Sequence, residues 1–457
     1  MGLRDVVLFF VTTGTNLQWV AYAAAAGPSA LVVWLSGALL MFLPLAWCVL
    51  HLSARFPDEG GLYVWTKRAF GQPAGFLAGW MYWCSNLPYF PGLLYFTASN
   101  ALFVFGDRLS GLQTSSAYFI AASILGLALG AGLNVLGLGV GKWLNNIGGI
   151  TRWLATLILI GLGVAALATH GSATSWSVRS LRPGFGLSDL LFWSTIAFAW
   201  TGPEAASFMG EEIRDSRRTV PRGLLLAAPM IALIYVLGTA SILVALPVSE
   251  VSGLSGIMQA IQTTAARVGL VGITPLAAAL ITVTCLGSVG AWFETVARIP
   301  FVAGIDRFLP ESFGRLHPRW GSPHVALLTQ AGITVLFVVM GQAGTSVRGA
   351  YQVLVSLTVI VTFIPFLLLF ASAIKLAGAP AGPATLRLPG GSGVVAAFAL
   401  VGLLTTMGAI LLSLVPPESE PDKPLAVAKV LGTTLVVLAS GALVYALGQA
   451  RARRPSA

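Results

Sequence analysis

Twelve apolar runs, each long enough to cross a bilayer and joined by short polar stretches, constrain this chain more than any other feature. They fall at about 5–25, 30–54, 74–104, 117–137, 143–169, 187–210, 221–246, 272–304, 324–342, 348–377, 394–415 and 425–449. A crossing helix needs roughly 20 apolar residues. In hydrocarbon every backbone N–H and C=O must find a partner inside the protein, so these runs are predicted to be helices. Membrane β-barrels would show roughly ten-residue alternating segments instead. The fold class is therefore all-α integral membrane, with about 12 transmembrane helices. Composition agrees, with 9% charged and 56% hydrophobic residues, where soluble domains carry about 25% charged. No polar stretch is long enough for a separate domain, so residues 1–457 read as a single transmembrane unit.

Charge sets orientation and excludes some functions. With both termini on the inside, eighteen of the 26 Lys and Arg fall on that side, seven fall outside, and Arg152 lies within a span. Basic residues favour the cytoplasmic side, so both termini are predicted to be cytoplasmic, with the chain multi-pass in the plasma (inner) membrane. The net charge of +10 is spread over separate loops, which argues against nucleic acid as a partner. Cys48, Cys84 and Cys285 lie inside apolar runs, and His51, His170, His317 and His324 are scattered. Neither set has disulfide or metal-ligand spacing, so no metal and no cofactor are expected. The N-terminus runs straight into the first span without a cleavage pattern and is expected to be retained.

The sixth span, LLFWSTIAFAW, breaks at Trp200-Thr201-Gly202-Pro203, and Glu204 follows at membrane depth. Proline lacks an N–H and clashes with the preceding turn. A carboxylate beside a broken membrane helix marks either a functional site or a kink with a structurally paired Glu. The first span carries Thr12-Thr13-Gly14-Thr15-Asn16 at its centre, where a simple anchor would be Leu-rich. That stretch reads as a second break or as a small-residue packing face. Spans 1 and 6 open two consecutive five-span sets, and an odd number of spans turns the second set upside down. Interrupted helices at matching places in two inverted halves point to a transporter's binding site. Half-helix N-termini suit a carboxylate and unwound carbonyls suit an ammonium group, which fits an amino acid or related amine.

Several stretches resemble the amino acid–polyamine–organocation superfamily. Gly27 to Gly71, GPSALVVWLSGALLMFLPLAWCVLHLSARFPDEGGLYVWTKRAFG, is similar to that superfamily's second helix and following loop. FAWTGPEAASFMGEEIRDSRRTVPRG is similar to its helix 6 and the loop after it, and ARIPFVAGIDRFLPESFGRLHPRWGSPHVAL to its helix 8–9 loop. Leu388–Pro417 resembles most the glutamate/γ-aminobutyrate antiporter branch. The resemblance implies a 5+5 inverted-repeat core over 5–377, with helices 1 and 6 broken, and two peripheral helices over 394–449. It implies transport of an amino acid or related amine.

By position, the resemblance places Thr13, Gly14, Thr15 and Asn16 at the helix 1 substrate loop, with fewer glycines than its relatives carry. Phe198, Ala199, Trp200, Thr201 and Gly202 match the helix 6 break, with Trp200 expected as an aromatic lid. Glu204 matches a glutamate of the proton-linked gate. Trp292 matches a cavity tryptophan of helix 8, with plain packing as the alternative. Asn86 would face the cavity or make an interhelical contact. Arg152 lies where some proton-coupled relatives carry a lysine in place of sodium; the alternative is a snorkelling side chain. Arginine does not deprotonate in proteins, so it would act as a fixed cation. Glu294 is expected to pair with Arg298 at i,i+4, with a substrate or proton role as the alternative.

The reading is a secondary active transporter, by proton-coupled symport or amino acid/amine antiport, and not an enzyme. The alternative is a polyamine or other organic amine carrier of the same fold. Its partners are a small amino acid or amine, the lipid bilayer and, as candidate coupling ion, the proton; monomer and homodimer both stay open. A channel or scaffold would not need two matched breaks.

Overall fold

The computed structural model describes residues 1–56, 58, 60–342, 347–380, 388–413 and 423–452, and no strand occurs among them. The helices in chain order are α1 Leu3–Gly14, α2 Leu17–Ala24, α3 Ser29–Gly37, α4 Leu43–Arg55, α5 Leu62–Phe70, α6 Gln72–Asn86, α7 Tyr89–Ala101, α8 Ser116–Val135 and α9 Leu138–His170. They continue as α10 Val178–Leu181, α11 Leu187–Ala199, α12 Ser216–Ala245, α13 Gly256–Arg267, α14 Ile273–Ile305, α15 His324–Gly341, α16 Val347–Lys375, α17 Gly391–Ser413 and α18 Lys423–Ala452. Among the described residues nine segments are long and apolar enough to cross a membrane. The other three expected spans are α6 with α7, the shorter α11, and α16, whose apolar part is Val361–Lys375.

Proline explains several departures from straight helix. A π-turn over Ala38–Phe42 joins α3 to α4 just ahead of Pro44. The wider turn makes room for a ring that would otherwise press on the carbonyl four residues back. The third span bends at Leu87-Pro88, where both residues keep helical torsions, so it kinks without unwinding. Three helices lie outside the apolar runs and were not expected: α5, α10 and α13. In α13 the buried Ile257, Met258, Ala260, Ile261 and Ala265 recur at helical spacing, which lays one face on the bundle.

At the centre α9 crosses α14 with almost no gap. A Cβ on Gly287 would lie 2.6 Å from the Gly148 Cα. Small residues let helices approach this closely where lipid offers no hydrophobic drive. Helix α1 packs against α9, α12 and α14. Outside this core, α18 leans on α6, where Trp80 Nε1 donates to the Val437 carbonyl at 3.1 Å.

Ion pairs collect at the end of the bundle where α1 and α9 begin and α14 ends. Asp5 meets Lys142 at 3.1 Å, and Lys67 meets Asp306 at 2.6 Å. The Tyr63 hydroxyl also donates to Asp306. Burial and the adjoining Asp306 carboxylate hold that phenol well above its ordinary range, so it stays a neutral donor. Arg298 pairs with Glu212, and lies 3.8 Å from Glu294 as the i,i+4 spacing led us to expect.

Candidate functional site

The first span does come undone. The Thr12 and Thr13 hydroxyls bond back to the Leu8 and Phe9 carbonyls at 2.8 and 2.9 Å. Such bonds offer the backbone an alternative to continued helix. Thr15 and Asn16 are then fully extended, with φ of −126° and −133°. Asn16 restarts the helix as the N-cap of α2. Its Oδ1 faces the Gln18 N–H at 3.4 Å and its Nδ2 donates to the Tyr89 hydroxyl at 2.7 Å.

Arg152 reaches into this break from α9. It is 1% exposed, so the snorkelling alternative does not describe it. One guanidinium nitrogen donates to the Val11 and Thr12 carbonyls at 3.0 and 2.8 Å, and to the Thr15 hydroxyl at 2.6 Å. The same nitrogen bonds the Thr15 carbonyl, and the second bonds the Ser288 hydroxyl of α14. A planar fork of donors suits the divergent carbonyls at the end of α1, where the helix dipole also favours positive charge.

The sixth span stops at Ala199. Gly202 takes φ +129°, and a Cβ there would sit 2.8 Å from the Thr13 carbonyl oxygen and 2.9 Å from the Gly14 Cα. Only glycine fits both the torsion and the space, and the contact brings the two breaks together. Glu204 turns back on its own segment. One carboxylate oxygen accepts from the Gly202 N–H at 2.9 Å and the other from the Tyr82 hydroxyl of α6 at 2.7 Å.

Between the breaks lies a small cavity. Of the residues singled out in the sequence, Thr13, Asn16, Asn86, Phe198, Ala199, Thr201, Glu204 and Trp292 line it. Gly14, Thr15, Trp200, Gly202 and Arg152 stand behind its wall. Trp200, expected from the resemblance as an aromatic lid, does not line the cavity. Its indole N–H donates to the Trp34 carbonyl at 3.0 Å, and its ring packs 5.0 Å from Phe42 and 5.2 Å from Tyr235. Unwinding after Ala199 swings Trp200 out toward α3, leaving Phe198 as the cavity aromatic of this segment. Phe198 meets Trp19 edge-on at 5.5 Å. Glu294 does not line the cavity.

Sequence reasoning missed Trp19, Tyr82, Tyr89, Tyr235 and Thr362, all of which line the cavity. The only signal for Tyr235 was a lone phenol in an otherwise apolar span. Its hydroxyl accepts from the Asn16 N–H at 3.2 Å and donates to the Ala199 carbonyl at 2.9 Å, so it touches both breaks at once. Every lining residue except Thr201 is buried.

The model of the amino acid permease family matches residues 6–438. The chain belongs to that family. It is similar to the probable agmatine/putrescine antiporter AguD of Lactococcus lactis, at 24% identity over 426 residues, 92% of this chain and 89% of that protein. It is also similar to the glutamate/gamma-aminobutyrate antiporter of Lactococcus lactis, at 22% identity over 84% of this chain and 78% of the other. Among solved structures, MhsT in complex with L-phenylalanine superposes with a TM-score of 0.63 at 15% identity, covering 90% of this chain and 98% of that one. That likeness is one of fold. The fold reading from the sequence, a helical permease core with broken first and sixth spans, therefore holds. The family and these relatives are transporters, not enzymes.

The permease's cavity has a clear chemical bias. Among the described residues its wall carries Trp19, Tyr82, Tyr89, Phe198, Tyr235 and Trp292, one carboxylate, and no Lys, Arg or His. Aromatic faces and a buried carboxylate both attract an organic cation. The guanidinium of Arg152 is spent on main-chain carbonyls behind the wall. Among the described residues no group of three or more His, Cys, Asp or Glu could hold a metal ion.

Proposed function

We propose that this permease is a secondary active transporter of a small amino acid or amine, working by alternating access in the plasma (inner) membrane with both termini cytoplasmic. One observation supports the reading above the rest: two broken helices meet at a cavity that holds, among the described residues, a single carboxylate, Glu204. Glu204 is the proton-linked group. As a carboxylate it accepts from the Gly202 N–H and the Tyr82 hydroxyl together. Protonation removes the charge that strengthens both bonds, and the acid then donates to the Tyr82 oxygen in place of accepting from it. The weaker tie between the sixth span and α6 couples proton arrival to movement of the break. Phe198 and Trp292 bracket the substrate, and Arg152 holds the first break in shape as a fixed cation.

The aromatic wall without a basic side chain also favours the second reading, an organic amine carrier. Both readings are tested with the purified protein in proteoliposomes, using radiolabelled L-phenylalanine, L-glutamate, γ-aminobutyrate, agmatine and putrescine, with and without a pH gradient. Uptake or exchange of amino acids supports the first reading and selective movement of agmatine or putrescine the second. Failure to move any small amine-bearing compound overturns both.

A further inference from the structure

The two breaks expose main-chain groups that a substrate would be expected to satisfy, yet the chain satisfies two of them itself. The Asn16 N–H heads α2 and the Ala199 carbonyl ends α11. Tyr235, on α12, bonds both through one hydroxyl, at 3.2 and 2.9 Å, with the Gly14 carbonyl also within reach at 3.3 Å. Its ring is fixed from behind by Trp34, stacked at 4.1 Å and nearly parallel, and by Trp200 edge-on at 5.2 Å. Trp34 is itself tied to α12, donating its indole N–H to the Thr239 hydroxyl at 3.0 Å. Tyr235 is 1% exposed and lines the cavity, so its hydroxyl stands where a ligand's polar group would meet the breaks.

We propose that Tyr235 is a positioning residue that serves as a built-in stand-in for the substrate. Its hydroxyl lets the permease close around its cavity without cargo, so the unloaded carrier can return across the membrane. The inference rests on the transport reading above and adds a directional property to it: net movement of substrate rather than strict one-for-one exchange. The physical reason is the cost of an orphaned buried N–H or C=O, which is avoided only when something bonds it. With cargo, a substrate's polar groups can take over these bonds. Without cargo, Tyr235 does so.

The test is Tyr235→Phe, which keeps the ring and its stacking on Trp34 and removes one oxygen. Two measurements are made on purified protein. Hydrogen exchange without any added compound reads the amide of Asn16; it should exchange about tenfold faster in the variant, as expected for loss of a single bond worth about tenfold in an opening equilibrium. In proteoliposomes, the ratio of net efflux into compound-free buffer to exchange against the same compound outside should fall about tenfold. The compound used is whichever of L-phenylalanine, L-glutamate, γ-aminobutyrate, agmatine or putrescine the parent protein exchanges fastest. An unchanged ratio of net efflux to exchange overturns the proposal, as does unchanged exchange at the Asn16 amide. A parent protein that moves none of the five overturns the transport reading instead, and the amide measurement still reports on Tyr235. Should Y235F melt far below the parent, Tyr235→Trp at the same position, which restores bulk and a donor but no acceptor, must show the same fall in the ratio of net efflux to exchange.

Discussion

Replacing Arg152 with leucine tests the first break directly. The extended Thr15-Asn16 link removes the N–H groups that would otherwise bond the last carbonyls of α1. The Asn16 N–H goes to Tyr235, and the Trp19 N–H to the Asn16 carbonyl. The Val11 carbonyl keeps the Thr15 N–H and hydroxyl as donors when Arg152 is gone. The Thr12 and Thr15 carbonyls lose the guanidinium that holds them. Two orphaned buried carbonyls cost about 1–3 kcal/mol each. The gross loss is then about 2–6 kcal/mol, and leucine recovers part of it by ending the burial of a charge. Melting of the purified protein in detergent, followed by intrinsic fluorescence, should fall by roughly 3–10 °C. R152K should lie between the two, since one ammonium can reach the helix 1 carbonyls but lacks the second arm that bonds Ser288. A melting point for R152L within about 1 °C of the parent would refute the clamp.

Other variants separate the remaining roles. Glu204→Gln should retain binding of the fastest-exchanging compound but flatten the dependence of uptake on pH; an unaltered pH profile would remove Glu204 from the coupling step. Phe198→Leu should raise the half-saturation constant by about tenfold, the order expected for loss of one well-packed aromatic contact. Trp200→Leu should lower thermal stability and leave half-saturation within about twofold, and the reverse pattern would show that Trp200 reaches the substrate.

How much of this was legible follows from which forces act locally. Apolar runs and the Gly202-Pro203 pair are local signals, and they located the spans and the break in the sixth. Thr12 to Asn16 also announced itself, because polar residues at the middle of a span need a reason. The phase of the chain past a break is not local. Helical spacing cannot say whether Phe198 or Trp200 faces inward once the turn at Ala199 is lost, and the structure turns Trp200 toward Trp34. The same limit hid Tyr235 and Tyr82, whose partners lie on other helices. Pro88 was visible, but a proline that only bends a helix looks in sequence much like one that ends it. For Arg152 the sequence marked an arginine inside a span, and only the packing of α9 against α1 fixed what it holds.

The Gly148–Gly287 crossing has a mechanical consequence. With main chains touching there, α9 and α14 cannot slide or splay without first prising their backbones apart. Arg152 rides one turn above that weld on one helix, and Trp292 little more than a turn along on the other. On the transport reading proposed above, the two side chains travel as a single keel, and the halves of the broken spans swing about it.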